Sequence, residues 1–125
     1  MALPRARSLL SGLLLGFLAG CGLRDAPPLP LGAPFPELKL QRLDGKPTSL
    51  DDHSGKALVV NFWATWCEPC RTEMPSLQRL SESFAPQDLA VVGVTVDDDL
   101  NLVRKFLLRY GIEFPIYADT DGSAR

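Results

Sequence analysis

The hydrophobic positions of this chain fall into blocks of different period. Residues 57–65, "ALVVNFWAT", are almost continuously apolar and rich in branched and aromatic side chains. That composition suits a strand buried on both faces, expected at the centre of a sheet. From Glu68 onward Met74, Leu77, Leu80 and Phe84 recur at spacings of three and four, which predicts one apolar face of a helix. A second apolar run, "DLAVVGVTV" at 88–96, predicts another buried strand. Asp97, Asp98 and Asp99 then stand where a helix would begin, Arg104, Lys105 and Arg109 fall toward its end, and Gly111 follows as a stop. "EFPIYADTDG" at 113–122 reads as a further strand ending in a turn. Upstream, Leu38, Leu40 and Leu43 alternate before the turn dipeptide Asp44-Gly45, and residues 48–50 follow, which predicts a hairpin. Residues 51–56, "DDHSGK", read as a polar loop.

The predicted order is hairpin, strand, helix, strand, helix, strand. Strands alternating with helices predict an α/β sheet with parallel central strands and helices on its faces. At 125 residues, 46% hydrophobic and 22% charged, the chain has room for one such core. The formal net charge is -2 and the lysines and arginines are scattered, so no basic stripe exists for nucleic acid.

The first twenty residues do not belong to the fold. Arg5 and Arg7 precede an apolar stretch at 9–19 that falls short of the roughly 20 residues a membrane span needs but suits an export signal. The stretch ends in "LAGCG", which resembles the lipobox of bacterial lipoproteins. The resemblance implies cleavage before Cys21 and lipid attachment to it, with residues 1–20 as signal peptide and the lipid bilayer as partner. Residues 24–38, "RDAPPLPLGAPFPEL", hold five of the eleven prolines and read as a semi-rigid tether, so that 21–36 forms anchor and tether and 37–125 the domain.

The chemistry centres on "WCEPC", residues 66–70. Zinc wants four ligands, and the remaining candidates, Cys21 and the lone His53, bring no second pair; no metal site is expected. Haem attachment wants histidine after the second cysteine, where Arg71 stands. An acidic triplet suggests calcium, but Leu102 occupies the sixth loop position that calls for glycine, so the aspartates read as helix caps. A purely structural disulfide closing so short a loop restrains little chain entropy. A redox role uses the spacing better. At the first turn of a helix, Cys67 would face unsatisfied N–H groups that favour its thiolate, making it the nucleophile, with Cys70 resolving the mixed disulfide. Pro69 fits the first turn, and Glu68 and Pro69 are expected to bias the potential. Trp63 reads as core, and His53 as a plain surface residue.

"FWATWCEPCRTEMP" resembles the active-site segment of the thioredoxin superfamily, specifically the membrane-anchored, extracytoplasmic thiol-disulfide oxidoreductases of the TlpA and ResA type. The match runs from "LDGKPTSL" to "FPIYADTDG". It implies a thioredoxin-like α/β fold with an N-terminal hairpin, Cys67 and Cys70 as the redox pair with no further cofactor, and Trp66 flanking the nucleophile. It also implies a proton-relaying role for Glu73, which otherwise reads as a solvated carboxylate, and a bend at Pro75. The implied partners are a protein disulfide, with apocytochrome c of cytochrome c maturation as the family's example, and a membrane thiol protein as electron donor. The implied direction is reduction, on the periplasmic side of the bacterial envelope.

Proteins of that family continue past "ADTDG" with a helix, a cis-proline loop, two strands and a final helix. The expectation is therefore a truncated domain with its C-terminal strands and helix missing, one edge of the 57–65 strand unpaired, and Pro115 in the inserted strand. Two alternatives are an inactive lipoprotein serving as a binding or scaffold module, and a peroxiredoxin-like peroxidase. The latter wants threonine three residues before its cysteine, where Ala64 stands.

Overall fold

The structure is a computed structural model, and it describes residues 31–124. The expected signal peptide, Cys21 and the first part of the tether lie outside the described residues. The chain divides into two units, Met1–Pro34 and Phe35–Arg125, and the fold is that of the second. Residues 33–39 have no helix or strand, and 31–37 are exposed, as a proline-dense segment without its own hydrogen bonds should be.

Five strands and two α-helices follow: β1 (Leu40–Arg42), β2 (Pro47–Thr48), β3 (Ala57–Trp63), α1 (Glu68–Ser83), β4 (Leu89–Thr95), α2 (Leu100–Tyr110) and β5 (Ile116–Asp119). The sheet order is β2-β1-β5-β4-β3. The hairpin pairs antiparallel, with Gly45 at φ 85° in its turn, a conformation that glycine adopts without cost. β1 also pairs antiparallel with β5, while β5, β4 and β3 run parallel, Val59 beside Val91 and Val94 beside Tyr117.

Two expectations change here. Among the described residues β3 pairs only with β4, so it lies at the sheet's edge and not at the centre its composition suggests, with one edge unpaired as the truncated-domain reading expects. The two helices also share one face. β3, β4 and β5 step across the sheet in a single direction, and crossovers of one hand taken in one direction put both connecting helices on the same side. Their buried residues, Met74 and Leu77 from α1 with Val103 and Phe106 from α2, form one core with Trp63, Val91, Phe114 and Ile116. The other face carries Leu40, Val92, Val94 and Tyr117, with Leu38, Leu50, Leu58 and Val60 packed beside them and no helix residue. The alternation of Val91 and Val92 between the cores is the two-residue period of a strand.

Between them, Gly93 has to be glycine. A Cβ there would lie 2.5 Å from Ile116 Cδ1 and 3.1 Å from Trp63 Nε1, so its absence lets the indole lie against β4.

Local differences have local causes. Phe84 is not on the buried face of α1; it is the C-cap residue and is exposed. Residues Leu50–His53 form a 3-10 turn rather than a loop, capped by Ser49, whose Oγ accepts from Asp51 N. Pro115 precedes β5 instead of lying in it. Arg104 sits in the middle of α2 and donates to the Leu43 carbonyl and to Asn101 Oδ1, leaving Arg109 as the basic residue of the last turn. α2 closes at Gly111 in the left-handed region, φ 62°, as the stop signal predicts. Gln78, unremarkable in sequence, is buried: its Oε1 accepts from Glu113 N and Phe114 N, tying α1 to the segment entering β5.

Candidate active site

β3 ends at Trp63, and the chain turns at once. Cys67 N donates to Ala64 O at 3.1 Å, closing a four-residue turn, and Arg71 N then donates to Cys67 O at 3.0 Å as the first helical bond. Cys67 is thus the N-cap of α1, with no side-chain capping bond of its own, Glu68 the first helical residue and Pro69 the second. At that position the missing proline N–H would have had no helical acceptor, so proline costs nothing there. Cys67 and Cys70 are joined by a disulfide, their Cα atoms 5.3 Å apart.

Both cysteines are half-buried, and Cys70 packs against the helical core. They open onto a groove of about 440 Å³ lined largely by apolar groups: Phe62, Trp63, Ala64, Trp66 and Val96, with Asp98 and Ala124 at its border. Trp66 is 75% exposed, an indole left in water beside the disulfide. Trp63, by contrast, is 2% exposed and stacks on Phe106 with ring centres 5.1 Å apart, as its core assignment predicts.

The residues around the pair divide sharply. Glu68 is exposed and pairs with Arg71, Nη1 to Oε2 at 2.9 Å. Arg71 also donates to Tyr110 Oη at 3.4 Å and lies over the Phe106 ring; the phenol first and the carboxylate second hold its guanidinium above its ordinary value. Glu73 is exposed on α1 and is not among the residues lining the groove. Pro75 lies inside α1, whose span continues to Ser83.

The largest surprise is the acidic triplet. Asp99 caps α2, its Oδ1 accepting from Asn101 N at 2.9 Å, and Asp98 borders the groove. Asp97 is instead buried, 8% exposed, and turned toward Thr65 and the end of β4. Its carboxylate accepts from Thr65 N at 2.8 Å, Thr65 Oγ1 at 2.7 Å and Thr95 Oγ1 at 2.8 Å. Sequence reasoning missed both Asp97 and Thr65, because hydrogen bonds spanning 32 positions leave no local signature. The one available hint was that a single cap cannot use three aspartates. The Thr65 hydroxyl, engaged with Asp97, and Ala64, 1% exposed, leave no threonine hydroxyl at the position a peroxidase of the peroxiredoxin type uses.

His53 also departs from expectation. It is half-buried, with Nε2 2.9 Å from Tyr117 Oη and the rings 6.0 Å apart. Burial, reinforced by Lys56 and opposed by Asp52, lowers its pKa below the ordinary 6.5. It lies away from the cysteine groove. Among the described residues no group of three or more His, Cys, Asp and Glu side chains gathers to hold a metal.

The chain is 42% identical over 94 residues to the thioredoxin-like protein YneN of Bacillus subtilis, covering 73% of this chain and 55% of that one. It is 38% identical over 90 residues to the thiol-disulfide oxidoreductase ResA of the same organism, covering 72% and 50%. The chain spans about half the length of these curated relatives. Among solved structures, a thiol:disulfide interchange protein of the thioredoxin family from Chlorobium tepidum superposes with a TM-score of 0.61 at 36% identity, covering 70% of this chain and 61% of that one. A secreted Mycobacterium tuberculosis disulfide oxidoreductase gives 0.58 at 28%, covering 70% and 62%. The α/β architecture is therefore thioredoxin-like. The AhpC/TSA family model matches residues 31–125, and the chain belongs to the AhpC/TSA family.

Proposed function

We propose that this protein is an extracytoplasmic thiol-disulfide oxidoreductase that reduces protein disulfides through Cys67 and Cys70. The observation that carries this reading is the Cys67–Cys70 disulfide at the N-terminus of α1, open on one side to an apolar groove. In the reduced protein the free N–H groups and positive dipole end of α1 favour the Cys67 thiolate over the thiol. That thiolate attacks one sulfur of a substrate disulfide; the substrate S–S bond breaks, a mixed disulfide forms, and the departing substrate sulfur takes a proton. Cys70, as thiolate, then attacks Cys67, restoring the Cys67–Cys70 bond and releasing the second substrate thiol. Two electrons have moved from the dithiol to the substrate, and a thiol donor must return them.

The exposed Trp66 and the apolar lining suit an extended protein segment as substrate, and apocytochrome c is the candidate that the family resemblance of the active-site segment implies. Glu73, in water one turn along α1 from Cys70, exchanges protons between that thiol and solvent in this reading. The secreted relative and the lipobox-like segment at Cys21 together support a domain held at the periplasmic face of a membrane.

Insulin reduction with a dithiol donor tests the proposal. Cys67→Ser should lower the rate to the uncatalysed level, and Cys70→Ser should accumulate a mixed disulfide at Cys67. A Cys67→Ser protein as active as the parent would overturn it, and would favour a binding or scaffold role indifferent to that thiol.

A further inference from the structure

Cys67 reaches the N-terminus of α1 through the turn at 64–67, and the first corner of that turn is Thr65. Both polar groups that Thr65 offers in that direction, its N–H and its hydroxyl, end on the Asp97 carboxylate. Asp97 is fixed in turn from β4: Thr95 Oγ1 donates to its Oδ2, and its own N–H returns a bond to Thr95 Oγ1 at 3.2 Å. Thr95 has no exposed surface. One residue earlier, Val96 N donates to Trp63 O at 3.0 Å, carrying the pairing of β3 and β4 up to the turn. A buried carboxylate is costly unless its charge is met by hydrogen bonds. Here three donors meet it, and two of them belong to the residue that sets the direction of the turn.

Resting on the thiol-exchange reading above, we infer that Asp97 is a positioning residue for the redox centre: it clamps the 64–67 turn to the end of β4, and thereby places the Cys67 sulfur at the N-terminus of α1. Without the clamp the turn keeps its Cys67-to-Ala64 bond but loses both bonds from Thr65, and Cys67 loses its fixed relation to the N–H groups that favour its thiolate.

Asp97 has two consequences of opposite sign for Cys67, and these make the inference testable. As a negative charge nearby it disfavours a thiolate; as a clamp it promotes one. Asp97→Asn removes the charge while its amide still offers an oxygen to Thr65 N and the Thr95 hydroxyl and a nitrogen that donates to the Thr65 hydroxyl oxygen. Asp97→Ala removes both functions. The measurement is the rate of iodoacetamide alkylation of the reduced full chain against pH, read by mass spectrometry on the peptide carrying Cys67 so that Cys21 does not interfere.

The expected result is that Asp97→Ala raises the apparent Cys67 pKa by about one unit and slows alkylation at pH 7 about tenfold. Asp97→Asn should leave the pKa unchanged or lower it. If both variants lower it alike, or Asp97→Ala leaves it unchanged, the clamp is wrong. Should Asp97→Ala fail to fold, Thr65→Ala removes one clamp bond without altering charge; about threefold slower alkylation is expected, on the scale of one hydrogen bond, and an unchanged rate overturns the inference. Because alkylation needs no protein substrate, the result stands apart from insulin reduction: a chain that fails to reduce insulin while obeying the alkylation pattern refutes the proposed function and leaves the clamp intact.

Discussion

The two faces of the sheet are built from the same strands and are held in different ways. On one, α1 and α2 press Met74, Val103 and Phe106 onto Trp63 and Val91, with Met74 and Val103 fully buried and Gly93 leaving room for the indole. On the other, no α-helix contributes among the described residues; Leu58 and Val60 are only partly buried and line a groove of about 670 Å³ with Phe35, Leu38 and Leu50. The polar contact there is His53 on Tyr117. Strand composition alone does not distinguish the faces. What does is which side receives the crossovers, and the Cys67–Cys70 pair stands on a helix of the well-packed side.

The comparison is open to direct attack by substitution. The largest effect is expected on the helical face: Met74→Ala leaves a cavity with no route to collapse and should cost about 2–5 kcal/mol, read by urea unfolding. Gly93→Val, which forces atoms into Trp63 and Ile116, should cost about 1–3 kcal/mol. On the opposite face Leu58→Ala, partly exposed and bordering an open groove, should cost about 1 kcal/mol. A Leu58→Ala cost equal to that of Met74→Ala would show the faces to be equally packed.

Smaller still is the histidine. Its folded-state pKa is depressed, so the unfolded chain binds the proton more readily. The contribution of neutral His53 is complete above pH 6.5 and lost as the pH falls through the folded value. His53→Gln should therefore flatten the decline in stability between pH 7 and 5, and an unaltered slope would remove His53 from the second face's account. Last, Glu73→Gln should slow insulin reduction by about twofold or less, since water can replace an exposed relay.

How much of this was legible depends on range. The hairpin, the strand-helix alternation, the Gly111 stop, the burial of Trp63 and the seat of Cys67 at a helix start were all readable, because each rests on neighbours within a turn or two. The apolar composition of β3 on its own pointed to the sheet's centre, since a buried strand and an edge strand share that composition and differ only in what pairs beside them; its unpaired edge was expected only from the family resemblance. Phe84 was misread because periodicity does not announce where a helix stops. His53 was misread because its partner lies 64 positions away.

The sequence by itself determined the chemistry: two thiols separated by Glu68 and Pro69, at a spacing that one helical turn brings together. Only the tertiary structure decided which of three adjacent aspartates is bonded to the turn that leads into Cys67. Asp98 and Asp99 face the groove border and the α2 terminus, while Asp97 turns inward to Thr65. The physical reason is that a carboxylate's role follows from the donors that the fold converges on it, and those donors come from the ends of two strands.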